Sequence, residues 1–186
     1  MIKPWKKLEQ KVAYDCGFFQ VRIQQSASPL TGKSHPFYIL DTHNWTNIIA
    51  ITPQKKVLFV SQFRHGTGQV SLEIPGGAVD KKDKDVEAAA RRELLEETGH
   101  LASEWHLLGH VSPNPAILNN ECYFYLALNA QKVSALKLDE AEELEVSEID
   151  LAAVPDLILD HKIEHALVVA AFHYLELYRQ KNRGKI

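Results

Sequence analysis

An α+β fold is predicted for this chain by three features. Short apolar runs bounded by turn residues flank one helix-periodic segment near the middle, a second such segment closes the chain, and strands and helices do not alternate regularly. With 186 residues against roughly 150 per domain, one compact unit with a small appendage is expected. Hydrophobic residues at 45% and charged residues at 24% are ordinary for a chain with its own core, which sets aside disordered and fibrous classes.

In the first forty residues, strand-like runs at 18–23 and 37–40 surround a Ser-Pro-Leu-Thr-Gly turn at 28–32. A sheet of that size is marginal alone and must lean on the main domain or a second subunit, so the chain divides into an arm, 1–41, and a main domain, 42–186. The runs 48–51 and 57–60, joined by Thr52-Pro53-Gln54-Lys55-Lys56, read as a hairpin. A helix follows from about Asp85 to Thr98, with Val86, Ala89, Ala90 and Leu94 on one face and Gly99 suited to the left-handed position beyond its end. Strands are expected near 105–111, 122–128 and 144–146. The terminal helix should bury Ile163, Ala166, Leu167, Ala170, Tyr174, Leu175 and Tyr178, ahead of a basic end.

Lys plus Arg number 21 and Asp plus Glu 24, a net charge of 21 − 24 = −3, so no basic field exists to draw in nucleic acid. The longest apolar run, 166–172, falls well short of the ~20 residues of a membrane helix, and no apolar stretch follows the first lysines. A cytoplasmic protein with no membrane partner is expected. Cys16 and Cys122 lack ligand spacing and read as two buried thiols.

The chemistry concentrates in Arg92-Glu93-Leu94-Leu95-Glu96-Glu97-Thr98-Gly99. Carboxylates at i, i+3 and i+4 share one helical face and repel one another unless a cation sits among them, and an all-oxygen donor set suits Mg²⁺ or Mn²⁺. The preceding Leu72-Glu73-Ile74-Pro75-Gly76-Gly77 reads as a strand whose glycines turn the backbone and expose carbonyls to the ion. Because Mg²⁺ tends to share its shell with phosphates, a phosphate compound is implied as substrate. A solvated acidic face is the alternative, but five specified positions recur by chance in only on the order of 10⁻⁴ of chains this long.

Gly77 through Gly99 resembles the Nudix box, Gly-x5-Glu-x7-Arg-Glu-U-x-Glu-Glu-x-Gly-U with U aliphatic. One extra residue separates Gly77 from Arg92, Asp83 or Lys84 stands where the first Glu belongs, and His100 replaces the last aliphatic. Val60-Ser61-Gln62-Phe63-Arg64, the acidic run Asp139-Glu140-Ala141-Glu142-Glu143 and the last helix are similar to the ADP-ribose pyrophosphatase branch.

The resemblance implies an α/β/α sandwich with an N-terminal β-sheet arm, and Mg²⁺-dependent hydrolysis of a nucleotide sugar, ADP-ribose first. The alternatives are GDP-mannose or another nucleotide sugar, or a catalytically silent nucleotide sensor. It implies Glu93, Glu96, Glu97 and a Gly76 carbonyl as metal ligands, and Glu97, Glu140 and Glu142 as the catalytic carboxylates, with Glu140 the base or else a solvated residue of the acidic run, and Glu142 a second base candidate or a metal contact. Arg64 is the implied phosphate clamp, or else an ordinary surface arginine. Phe18 and Phe19 would stack a nucleobase or simply pack, and Asn119 lies in the substrate-facing loop. Glu73 stays open between an ion network and a solvent face. A homodimer built through the arm is expected.

Overall fold

The computed structural model describes residues 1–138 and 142–182. The chain runs β1 (Lys6–Asp15), β2 (Gln20–Ala27), β3 (Ser34–Asp41), β4 (Trp45–Ile51), β5 (Lys56–Arg64), β6 (Gln69–Glu73), β7 (Gly76–Ala78) and α1 (Val86–Thr98). It continues through β8 (His100–Leu101), β9 (Glu104–Val111), β10 (Cys122–Leu128), β11 (Gln131–Lys132), β12 (Leu144–Asp150), a 3₁₀ turn (Leu151–Ala153), α2 (Val154–Leu159) and α3 (Ala166–Lys181). Contacts divide it into two units: residues 1–44 with 112–121, and residues 45–111 with 122–186.

The first unit is an antiparallel β1-β2-β3 sheet. Segment 112–121 joins it because Leu40 N–H donates to the Ile117 carbonyl at 2.8 Å, Leu40 bridges Leu118, and Asn119 ties itself to Asp41 and Thr42. The substrate-facing loop expected in the main domain therefore belongs with the arm. Every residue of β1 is exposed, and that strand, with apolar residues spread among charges, has no run for the sequence reading to detect. Cys16 is exposed in the turn after β1, which corrects the expectation of two buried thiols; only Cys122 is buried.

The second unit is built on a sheet of order β12-β5-β4-β10-β9, with β6 added to β5 and β7 to β4. β4 and β10 run parallel and the other pairs antiparallel. Central strand β4 is buried on both faces, which is why Ile48-Ile49-Ala50-Ile51 reads as an unbroken apolar run. Alternation assigns its residues to two cores: Ile49 and Ile51, with Phe59, Phe124 and Leu126, pack with Val168, Ala171 and Leu175 of α3, whereas Ile48 and Ala50, with Leu58 and Tyr125, pack with Ala90 and Leu94 of α1. The result is a helix–sheet–helix sandwich.

α3 fully buries Val168, Ala171 and Leu175; of the expected residues Ile163 and Leu175 are buried, Leu167, Ala170, Tyr174 and Tyr178 pack against the same core while half-buried, and Ala166 is exposed. An almost wholly apolar first half gives periodicity little purchase there. Among the described residues no helix is long and apolar enough to cross a membrane.

Candidate active site

Helix α1 starts where the Asp85 carboxylate accepts the Ala88 N–H at 2.8 Å, and ends at Gly99, φ 71°, whose N–H reaches the Leu95 carbonyl. With Ala89, Ala90 and Leu94 committed to the core, Arg92, Glu93, Glu96 and Glu97 come together around the end of β7. Arg92 organises them. Its Nε and Nη2 donate to the two oxygens of Asp83 at 3.0 and 2.9 Å, and Nη2 also reaches the Ala78 carbonyl. Its Nη1 donates to Glu93 at 2.8 Å and to Glu96 at 3.0 Å. The Asp83 and Glu93 interactions hold the guanidinium strongly protonated. Asp83, not Lys84, therefore takes the first carboxylate's place, and since five residues separate it from Gly77, the extra residue lies in 84–91.

Glu97 is buried, with one oxygen accepting the Gly76 N–H at 2.9 Å. Burial pushes its carboxyl up to about 8; the Gly76 bond opposes this, while the charges of Glu93 and Glu142 add to it. Burial likewise pushes Glu93 up to about 7 against the pull of Arg92, with Glu96 and Glu142 contributing repulsion. Glu142 therefore belongs to the same acidic field.

The two glycines act differently from the sequence expectation. They do not turn the chain sharply but form strand β7, opposite Thr46 and Asn47 of β4. A side chain on Gly76 would run into the Thr46 carbonyl, and one on Gly77 into the Glu93 carboxylate. The group that Gly76 presents to Glu97 is its N–H.

Among the described residues, no three acidic, His or Cys side chains stand gathered as a ready-made metal site. Arg92 lies between Glu93 and Glu96, and Gly76 holds Glu97. The donor chemistry nevertheless fits a hard divalent cation: the donors are carboxylate oxygens, and Glu97 is buried and Glu93 largely so, where uncompensated charge is costly.

Arg64 Nε and Nη2 grip both oxygens of buried Glu73 at 2.8 and 2.6 Å, leaving the Arg64 side chain 43% exposed. The open question over Glu73 thus resolves to an ion network. Burial alone would raise the Glu73 carboxyl, but the Arg64 bonds and charge, with His165 adding, hold it below its usual range. Glu97 and Glu142 in turn act on Arg64, so this pair also belongs to the acidic field.

The remaining expected residues are placed elsewhere. Phe18 and Phe19 are exposed in the turn before β2 of the first unit. Asn119 uses its side chain within that unit, donating to Asp41 and accepting from Thr42 N–H. Glu140 lies outside the described residues. His165, whose Nε2 is 3.9 Å from Glu73, was missed by the sequence reading, since no spacing links the start of the last helix to β6.

Residues 42–172 match the NUDIX domain family. The ADP-ribose pyrophosphatase of Bacillus subtilis strain 168 is 31% identical over 150 residues, 78% of this chain and 79% of that one. The methanol dehydrogenase activator of Bacillus methanolicus is 31% identical over 131 residues, 70% of each chain. A GDP-mannose pyrophosphatase of Escherichia coli is 26% identical over 153 residues, 77% of this chain and 78% of that one. In fold, the crystal structure of an ADP compounds hydrolase superposes with a TM-score of 0.87 at 22% identity, covering 100% of this chain and 99% of that one. A family match across most of the chain, relatives at this identity, and the carboxylate helix framed by Arg92, Asp83 and two close-packed glycines agree: the chain belongs to the NUDIX domain family and is a Nudix hydrolase.

Proposed function

We propose that this protein hydrolyses the pyrophosphate bond of a nucleoside diphosphate linked to a sugar, with ADP-ribose as substrate and AMP and ribose 5-phosphate as products. The observation that carries this reading is the acidic field of buried Glu97 and largely buried Glu93, joined by Glu96 and Glu142 and flanked by Arg64. The names of the B. subtilis and E. coli relatives point to the same substrate class.

Glu93, Glu96 and Glu97 would hold Mg²⁺ or Mn²⁺, with the β7 backbone beside them. When bound, such an ion neutralises the diphosphate and acidifies a water. Arg64, fixed by Glu73, clamps phosphate oxygens. A carboxylate of the acidic segment, Glu140 or Glu142, takes the proton of the attacking water as the P–O bond to the leaving phosphate breaks. Phe18 and Phe19 offer exposed faces for a nucleobase. The exposed Leu8, Val12, Tyr14 and Tyr38 of the arm support a homodimer.

A product screen across ADP-ribose, GDP-mannose and other nucleotide sugars, with Mg²⁺ and with Mn²⁺, tests the reading. Release of AMP from ADP-ribose at the highest kcat/KM is expected. Preference for GDP-mannose would correct the substrate, and no release from any of them would refute the activity in favour of the silent sensor. Sedimentation of the intact chain tests the dimer, which a monomer at micromolar concentration would overturn.

A further inference from the structure

His165 occupies the position just before α3, yet its side chain makes no capping bond to the helix. Its Nδ1 is buried without a hydrogen-bond partner among the described residues. Its Nε2 lies 3.9 Å from the Glu73 oxygen that also accepts from Arg64 Nη2, beyond hydrogen-bond length but within ion-pair range. A half-buried imidazole that neither caps its helix nor satisfies both nitrogens calls for an explanation. The charged group it faces is Glu73, the anchor of Arg64.

The geometry matters because the Glu73 pair ties Arg64 through one side of its guanidinium. Nε and Nη2 are fixed by Glu73, whereas Nη1 takes no part in that pair. The direction in which Arg64 presents Nη1 follows from how the Glu73 carboxylate plane is set. That plane is buried and is approached by Arg64 from β5, by His165 from the start of α3 and by the Ser71 side chain of β6. We propose that His165 is a positioning residue for the nucleotide-sugar reaction, holding Glu73 so that Arg64 meets the substrate diphosphate at a fixed angle. The proposal rests on the reading of Arg64 as the phosphate clamp. It links the last helix to the phosphate site through a chain of three side chains.

The test combines steady-state kinetics on ADP-ribose with Mg²⁺ and the ¹⁵N resonance of Arg64 Nε–H, for wild type, His165→Leu, His165→Gln and Arg64→Lys. Since His165 supplies no cap, the leucine variant should fold, and its thermal unfolding checks this. His165→Leu is expected to raise KM roughly three- to tenfold, the range of one partly exposed charge contact or somewhat above it, with kcat within about twofold. The Arg64 Nε–H resonance should shift and exchange faster with water. His165→Gln, whose amide N–H can face Glu73, should recover most of the KM and the resonance, which a merely space-filling role would not produce.

An unchanged KM in His165→Leu, with KM raised in Arg64→Lys, overturns the His165 proposal and leaves the clamp intact. An unchanged KM in Arg64→Lys overturns the clamp and the proposal with it. Absence of turnover in the wild type refutes the proposed activity instead; the resonance then decides alone whether His165 orders Arg64, and an unshifted signal in His165→Leu overturns it.

Discussion

Asp83→Ala removes the carboxylate that anchors Arg92, and the structure allows its cost to be worked out. The Asp83 side chain is 6% exposed and accepts two charge-assisted hydrogen bonds from a guanidinium that is itself 19% exposed. Taking one partner from a well-buried ion pair costs about 3–5 kcal/mol. Arg92 keeps Glu93, Glu96 and the Ala78 carbonyl, so about 2–3 kcal/mol is the better figure here. For a chain of this size that corresponds to a fall in Tm of roughly 4–12 °C. Thermal unfolding by circular dichroism reads it, with Lys84→Ala as the control for the other reading of the box; Lys84 is exposed and should change little. In an Arg92→Leu background the effect of Asp83→Ala should shrink to a small fraction, because the two residues act as one unit. A loss below about 0.5 kcal/mol, or simple additivity of the two substitutions, would refute the anchoring role.

Glu97→Gln should lower kcat by orders of magnitude while leaving Tm nearly unchanged, because a carboxyl pushed up to about 8 is already largely protonated in the metal-free fold at neutral pH and glutamine copies that form; wild-type turnover would remove Glu97 from the metal platform. Glu93 and Glu97 have folded-state values of about 7 and about 8 against 4.5 for an unperturbed carboxyl, so their contribution to metal-free stability is present below about 4.5 and is lost as pH rises through about 8. Since Mg²⁺ takes the ionised forms, its stabilisation in thermal-shift assays should be small near pH ~5.5 and large near pH ~8.5, and a pH-independent shift would contradict this. Gly77→Ala pushes on the movable end of Glu93, so activity should fall roughly tenfold or more with little loss of Tm. Gly76→Ala meets the backbone at Thr46 and should destabilise the fold itself, as denaturant unfolding would show.

The sequence by itself determined the elements whose signals are local. The hairpin of β4 and β5, the helix from Asp85 to Gly99 and strand β10 could be read from apolar runs, a cap and a left-handed glycine, since each depends on residues a few positions apart. The face shared by Glu93, Glu96 and Glu97 is equally local, being set by helical geometry. Tertiary structure alone decided what those groups touch. Whether Asp83 or Lys84 holds Arg92 depends on the path of the loop through residues 78–85, and whether Glu73 faces solvent depends on where Arg64 and His165 arrive from other elements. Strand β1 was invisible because its residues are exposed and carry no burial pattern. The role of the two glycines also needs the tertiary structure: glycine marks a close approach as readily as a turn, and only the position of Thr46 and Glu93 against β7 shows which one this backbone needs.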